Sequence, residues 1–271
     1  MNVFIAVDME GISGVVDRDH VVRGQPEYER FRRLMTGEAN AAVEGALAGG
    51  ARTVLVNDGH ASMTNIIIEE LNPKAHLISG GRKPLAQMQG IERGFDMAFL
   101  VGFHSRQGTG SGTLAHTVSG RVISKIQLNG NEVGEIGLVA YVAGFHGVPI
   151  TLVTGDQATA NEAGALLDPV ETVVVKTGIT WKSAMCLHPE SSRQLIRAAA
   201  ERATRIQGNP LRLDEPVELR VDFYKPGQAD MATLIPEVHR IGGASVGYVG
   251  KNAPAVYSAL QAMVILADEA A

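Results

Sequence analysis

The sequence predicts an α/β protein in which a mostly parallel, three-layer αβα sheet domain is followed by a smaller C-terminal α/β region. Short apolar runs bounded by glycine or polar residues alternate with longer stretches in which apolar residues recur every three or four positions. This alternation of buried strands and helices is typical of a parallel sheet with helices on both faces. The chain has 271 residues and 45% hydrophobic residues, which suffice for a large core without disulfides or structural metals.

The first part of the chain predicts the elements of the main sheet. Residues 3–7 are all apolar, as in a strand buried on both faces. The next segment is a helix, because Phe31, Met35 and Ala39 share one helical face and Gly49 follows the last periodic residue. Further strands are predicted at 53–57, 76–79, 97–101, 122–128, 148–154 and 172–175. A weak helix is predicted at 84–93, a hairpin turn at Asn129-Gly130, and further helices from Glu135 and through 165–167.

The C-terminal region continues the alternation of helices and strands. We predict two units, residues 1–177 and residues 178–271, although composition changes little at this boundary. The last helix is expected to have Asn252 as its N-cap and Pro254 in its first turn. The other elements predicted for this region are a helix at 189–206, a strand at 217–224, a helix at 228–235 and a strand at 244–249.

Composition excludes several classes of protein. The formal net charge is −5 and basic residues form no long run, which argues against nucleic-acid binding. The single cysteine, Cys186, excludes an intrachain disulfide and favours a reducing compartment, and we predict that it is a buried structural thiol. The sequence enters the first strand directly, without a signal peptide, and no apolar run reaches the ~18 residues of a membrane span. We therefore expect a cytoplasmic protein without a membrane partner.

Polar side chains follow three of the predicted strands. Asp8 and Glu10 follow the first strand, His60 the second and His104 the strand at 97–101, while Glu135 opens a helix that could reach the same edge. The carboxyl ends of parallel strands meet at one edge of a sheet, where ligands of α/β proteins bind. Two adjacent carboxylates repel each other unless a proton or a cation lies with them. These five residues are therefore predicted to lie close together and to bind a cation.

The residue types indicate which cation. Three carboxylates and two imidazoles do not match a closed structural zinc site, which prefers cysteine and histidine. They match a site in which two metal ions share a carboxylate and activate water. Histidine favours zinc or a similar transition metal over magnesium. We predict Asp8, Glu10, His60, His104 and Glu135 as metal ligands, with Asp58 and Asp156 as partners that orient imidazoles.

His116 differs from the predicted ligands because it does not follow a strand. It comes after a glycine-rich loop at 105–112, which lacks the GxxxxGK[ST] pattern of a phosphate-binding loop and is interpreted as a substrate loop. Histidine titrates near neutral pH, so His116 is predicted to carry a proton beside the metals, with a packed hairpin residue as the open alternative. The other five histidines are interpreted as structural, and Lys176 and Trp181 receive no interpretation.

Five segments of the sequence also resemble the DppA-type binuclear zinc D-aminopeptidases. They are VDMEGISG at 7–14, LMTGEAN at 34–40, VNDGH at 56–60, GFH at 102–104 and VGEIGL at 133–138. The resemblance implies two zinc ions per chain on the five predicted ligands, with His116 as the catalytic histidine. It also implies a cytoplasmic, ring-shaped homodecamer that hydrolyses D-Ala-D-Ala or short peptides with N-terminal D-alanine.

Three functions remain open from the sequence. The favoured one is a zinc-dependent aminopeptidase that uses a metal-activated water. The second is a metal phosphatase of the haloacid-dehalogenase type, which also begins with a strand followed by Asp-x-Asp but uses magnesium, a covalent aspartate and a lysine. The third is a non-catalytic metal-binding module on the same fold.

Overall fold

The computed structural model describes all 271 residues and contains two β-sheets. The first sheet has the strand order β3-β2-β1-β4-β7-β8-β9, and all neighbours are parallel except β8 and β9. Its strands are β1 (Asn2–Val7), β2 (Thr53–Asp58), β3 (Ala75–Ile78), β4 (Met97–Val101), β7 (Ile150–Asp156), β8 (Glu171–Thr180) and β9 (Ser183–Cys186). The predicted mixed α/β fold with a mostly parallel main sheet is confirmed.

Helices cover both faces of this sheet. The two faces of β1 show this division, because Val3, Ile5 and Val7 belong to one hydrophobic core and Phe4 and Ala6 to the other. The first core also contains residues of α2 and α5, and the second contains residues of α3 and α7. The helices are α1 (Arg18–Val21), α2 (Tyr28–Ala48), α3 (Glu135–Phe145), α4 (Gln157–Leu166), α5 (Pro189–Ala203), α6 (Pro226–Ala232) and α7 (Ala253–Asp268).

The second sheet is antiparallel and has the order β11-β12-β10-β5-β6. Its strands are β5 (Ile123–Leu128), β6 (Asn131–Glu132), β10 (Val217–Phe223), β11 (His239–Gly242) and β12 (Ser245–Gly250). It thus joins a hairpin from the middle of the chain to strands from the C-terminal region. The boundary that the sequence places after Thr177 falls inside β8. The division into two units stays a prediction. The strands of the second sheet come from both sides of the predicted boundary, so a division by sheets differs from a division by position in the chain.

Three local differences from the sequence prediction have clear causes. Residues 84–93 form two 3-10 turns, Ala86–Met88 and Ile91–Arg93, because Gly90 between them has a φ of 102° and breaks any continuous helix. The strand predicted at 172–175 continues to Thr180, because its polar second half pairs with β9, which the sequence did not predict. Cys186 is half-buried rather than buried, since β9 is an edge strand.

Two predicted local signals are confirmed. Asn129 and Gly130 both have positive φ, 47° and 79°, as a two-residue hairpin turn between β5 and β6 requires. Asn252 caps α7, because its Oδ1 accepts a hydrogen bond of 3.0 Å from the main-chain N–H of Ala255. No helix in the structure combines the length and the apolar character needed to cross a membrane.

Candidate metal centre

The order of strands in the first sheet brings the predicted ligands together. β1 lies between β2 and β4, so the residues that follow these three strands meet at one edge. The chain after β1 also passes close to the chain after β4. The main-chain N–H of Gly11 donates a hydrogen bond of 2.8 Å to the carbonyl of Gly102. A Cβ atom at position 11 would lie only 1.9 Å from the carbonyl oxygen of Phe103, so this approach requires glycine.

All five predicted ligands converge in a single buried cluster. Nδ1 of His60 lies 3.0 Å from Oε2 of Glu10 and 3.2 Å from Oδ1 of Asp8. Nε2 of His104 lies 3.2 Å from Oε1 of Glu135 and 3.5 Å from Oδ2 of Asp8. Each of these side chains is at least nine-tenths buried. Strands, loops and the start of α3 therefore place three carboxylates and two imidazoles within contact distance.

The main chain fixes the orientation of the two imidazoles. Nδ1 of His104 lies 3.0 Å from the carbonyl oxygen of Ser105, and Nε2 of His60 lies 2.9 Å from that of Val21. A carbonyl only accepts, so each of these nitrogens carries the N–H. In the neutral tautomer the opposite nitrogen then presents its lone pair to the carboxylates. A lone pair facing a carboxylate is repulsive, so each of these gaps requires a proton or a metal cation.

Two buried atoms of the cluster form no hydrogen bond, although they lie 3.0 and 3.2 Å from an atom of a neighbouring side chain. They are Oε2 of Glu10 and Nε2 of His104. Leaving a buried polar atom unpaired costs about 1–3 kcal/mol, so such atoms require an explanation. Imidazole nitrogen is a donor that zinc and similar transition metals prefer, and zinc also accepts carboxylate oxygen as a ligand. The residues present therefore fit a bound metal ion of the zinc type.

Mutual charge and burial shift the acidity of the whole cluster. Burial and the neighbouring Glu10 raise the pKa of Asp8 to about 7. Burial opposes the charged form of His104, but the carboxylates of Glu135 and Asp8 outweigh it and raise the pKa of this imidazole to about 10. Against the effect of burial, His104 lowers the pKa of Glu135 to about 2, and His60 holds that of Glu10 well below its ordinary value. The cluster thus stabilises positive charge between its members, which a metal cation supplies by displacing protons.

The donor atoms form two overlapping groups. Asp8, Glu10 and His104 offer three atoms that all lie within 4.8 Å of one another, and so do His104, His116 and Glu135. The two groups share His104. His116 is itself a member of the second group.

His116 lies beside the ligands but in a different environment. Its ring stacks on that of His104, with centroids 4.1 Å apart and planes inclined by 14°. Its Nδ1 lies 2.9 Å from the carbonyl oxygen of Leu114, while its Nε2 is 3.9 Å from Oε1 of Glu135. Its side chain is 19% exposed. Burial and the positive charge of His104 lower the pKa of His116, so its Nε2 is a free proton acceptor at neutral pH.

Two of the predicted supporting residues have other roles. Asp58 accepts hydrogen bonds from the main-chain N–H groups of Asn65 and Ile66, at 2.5 and 2.7 Å. Asp156 accepts them from Thr113 and Thr159, at 2.7 and 2.8 Å. The expectation that these carboxylates orient imidazoles was wrong, because both are used to fix loop backbone at the ends of β2 and β7.

Sequence reasoning missed Gln87, which orients two of the carboxylates. Its Nε2 donates to Oε2 of Glu135 at 2.7 Å and to Oδ2 of Asp8 at 3.4 Å. Gln87 lies in the 3-10 turn Ala86–Met88, inside the segment predicted as a weak helix. No local pattern marks it, because its role depends on the distant strands that bring the carboxylates to it.

A cavity of about 370 Å³ opens onto the cluster. The residues that line it include Asp8, Glu10, His60, His116 and Glu135. The rest of the wall is mixed, with apolar side chains, hydroxyl groups and arginines. These further lining residues include Arg18, Val21, Val22, Arg23, Ser62, Leu114, Ser119, Arg121 and Trp181. The cavity can hold a small polar molecule against the cluster.

Comparison with known proteins agrees with this geometry. The family model for peptidase family M55, described as D-aminopeptidase, matches residues 1–262. A D-aminopeptidase of Bacillus subtilis (strain 168) is 37% identical over 270 residues, which cover 98% of each chain. A solved structure described as the Zn-dependent D-aminopeptidase DppA from Bacillus subtilis, a self-compartmentalizing protease, has a TM-score of 0.95 and 36% identity. The match covers 99% of this chain and 98% of the chain in that structure. The chain therefore belongs to the M55 family of D-aminopeptidases.

Proposed function

We propose that this chain hydrolyses short peptides with an N-terminal D-amino acid and uses two zinc ions held by Asp8, Glu10, His60, His104 and Glu135. The observation that carries the proposal is the convergence of these three carboxylates and two imidazoles at one end of a cavity. Family membership supports the reaction, and the description of the structural relative as Zn-dependent supports the metal.

The donor chemistry supports zinc and the number of ions. Mixed nitrogen and carboxylate oxygen donors suit zinc better than magnesium or calcium. The carboxylate of Asp8 supports two ions rather than one, because its Oδ1 lies 3.2 Å from Nδ1 of His60 and its Oδ2 lies 3.5 Å from Nε2 of His104, so it would be the ligand that two ions share. When bound, the zinc ions would polarise the peptide carbonyl and lower the pKa of a water molecule.

The protein's own residues have separate tasks in this reaction. Nε2 of His116 accepts and returns a proton, because its Nδ1 is engaged with the carbonyl of Leu114 and its lowered pKa leaves Nε2 free. Gln87 holds the carboxylates of Asp8 and Glu135 in place by donating to both. The cavity wall positions the peptide so that its scissile bond lies at the cluster.

The substrate is a short peptide with a free amino group, of the D-Ala-D-Ala type or with N-terminal D-alanine. A cavity of about 370 Å³ has room for a few residues and not for a folded chain. Selection of the D-enantiomer requires fixed positions for amine, side chain and carbonyl, which rigid strand ends supply. Family membership supports the D-configuration.

The proposal also covers the assembly and the location of the protein. We propose a homo-oligomer, with ten subunits as the number that the resemblance implies. Large apolar side chains at the β8–β9 edge support self-association, since Ile179 is 65% exposed and Met185 is 70% exposed. Light scattering should report an oligomer, and a monomer at micromolar concentration would contradict this. The cytoplasmic location stays a prediction.

Family membership argues against the phosphatase and the non-catalytic module. An assay can separate all three. Purified protein would be analysed for metals and then tested on D-alanyl anilide, L-alanyl anilide and a generic phosphate ester, before and after treatment with a chelator. We expect about two zinc-type ions per chain, metal-dependent hydrolysis of the D-anilide and little action on the other two.

Each part of the proposal has its own contrary result. Absence of a transition metal, even after reconstitution, would refute the metal centre. Equal rates on the D- and L-anilides would remove the claim of D-specificity and leave an aminopeptidase. Hydrolysis of the phosphate ester alone would favour the phosphatase.

A further inference from the structure

Lys176 is a fully buried lysine whose charge faces main-chain carbonyl groups. It lies in β8, is 1% exposed, and pairs in register with Asp156 of β7. Its Nζ donates to the carbonyl oxygen of Glu10, to that of Ile12 at 3.2 Å and to that of Val15 at 2.6 Å. An ammonium group has three N–H donors, so the loop after β1 can accept all of them.

Burial of an ammonium group is costly, and lysine is rarely fully buried without a strong partner. An apolar residue at this strand position would avoid that cost, as Val173 and Val175 of the same strand show by being buried in the core. The three carbonyl groups point to one place because a cation lies there. Without it, the carbonyls of Glu10 and Val15 would lose their hydrogen-bond partner, while that of Ile12 would keep a bond of 3.2 Å from the main-chain N–H of Val15.

The loop held by Lys176 carries two of the proposed metal ligands. Asp8 and Glu10 lie at its start, and Lys176 binds the carbonyl of Glu10 itself. Other contacts hold the next part of the loop: the N–H of Ser13 donates to Oε1 of Glu38 at 3.0 Å, and Oγ of Ser13 donates to the carbonyl of Leu187 at 2.6 Å. Lys176 is the side chain that donates a hydrogen bond to the main chain of Glu10 itself.

We propose that Lys176 is a positioning residue that fixes the main chain of Glu10, and that the affinity of the site for metal depends on it. The inference rests on the proposed function, because it assumes that Glu10 binds the metal. Outer contacts of this kind orient the ligands and typically change metal affinity by about 10–100-fold when removed.

The test compares Lys176→Met with wild type and with Lys74→Met. Methionine keeps the approximate volume and removes the charge and the donors. Lys74 is exposed and precedes β3, at the opposite edge of the sheet, so its substitution controls for the loss of one positive charge. Zinc affinity would be measured by chelator competition, with kcat and KM on D-alanyl anilide at saturating zinc and thermal unfolding of the metal-free proteins.

We expect folded Lys176→Met to bind zinc about 10–100-fold more weakly than wild type, with a lower kcat at saturating zinc and a KM within about twofold. A merely structural role would lower the fraction of folded protein and leave the zinc affinity of that fraction unchanged. Folded Lys176→Met with zinc affinity within about twofold of wild type would overturn the inference. Wild type that binds no zinc in the same titration would refute the proposed function instead.

A second variant keeps the test decisive if Lys176→Met does not fold. Lys176→Ala would be refolded and titrated with zinc in n-propylamine, which replaces the missing ammonium group, and in n-propanol, which has no charge. Recovery of zinc affinity in the amine alone would support the inference. Equal behaviour in the two additives would overturn it.

Discussion

The floor and the wall of the site contain stacked histidines with opposite properties. We call the strand-end residues Asp8, Glu10, His60 and His104 the floor of the site, and the segment 113–120, which contains His116, its wall. All floor residues except His104 line the cavity. His104 is 1% exposed and has two carboxylates within 3.5 Å, which raise its pKa to about 10 against the effect of burial. His116 is 19% exposed, its nearest carboxylate is 3.9 Å away, and burial and the charge of His104 lower its pKa.

The two environments suit different tasks: the floor is suited to holding a cation, and the wall is suited to moving a proton. Both rings place one nitrogen against a main-chain carbonyl, so their tautomers are fixed in the same way. The floor surrounds the other nitrogen with negative charge, which favours a permanent cation there. In the wall, the nearest carboxylate to Nε2 of His116 is 3.9 Å away, which suits a group that must gain and lose a proton in each turnover.

The largest effect outside the two histidines is expected at Gln87, which supports the floor carboxylates. Gln87→Leu removes the hydrogen bonds to Glu135 and Asp8 and should weaken zinc binding by about 10–100-fold, with a smaller effect on kcat at saturating zinc. Chelator competition and steady-state kinetics measure the two effects. Gln194→Leu, at an exposed position of α5, is the matched control. An unchanged zinc affinity would mean that the floor needs no support from this side chain.

A smaller effect is expected at Glu38 of α2, which accepts a hydrogen bond from the main-chain N–H of Ser13 in the loop after β1. Burial raises the pKa of this carboxyl from 4.5 to about 7, although Ser192, Ser13, Lys176 and Arg193 favour its charged form. Between these pH values the native state binds more protons than the unfolded state, so the free energy of unfolding falls as the pH rises through this range. The contribution should be on the order of 1–3 kcal/mol.

Glu38→Gln should remove that contribution. Its free energy of unfolding should fall less than that of wild type between pH 5 and pH 7.5, measured by urea denaturation of the metal-free proteins. Glu44→Gln, at an exposed position of the same helix, should keep the slope of wild type. A slope for Glu38→Gln equal to that of wild type would show that Glu38 is ionised throughout this range.

The floor could be predicted from the sequence because it follows a general property of parallel sheets. Short apolar runs identified β1, β2 and β4, and the residues after them had to share an edge. Gln87 and Lys176 could not be predicted, since each contacts proposed ligands that lie at least 48 positions away in the chain. The pairing within the second sheet was missed for a similar reason, because β5 and β10 were predicted as strands but are paired across a long separation in the chain. Local periodicity shows that a segment is a strand and not which strand it joins.

The most direct test of the difference between floor and wall compares two variants, His116→Ala and His104→Ala. For each variant, the zinc content and the turnover number would be measured on the same sample. We expect His116→Ala to keep its zinc and to lose roughly 10²–10⁴-fold in turnover, as for a positioned acid–base group. His104→Ala should lose zinc and activity together, because a ligand is removed. His116→Ala that has lost its zinc would make His116 a ligand, and His116→Ala with full zinc and near-normal turnover would make it a packing residue; either result would contradict the division between floor and wall.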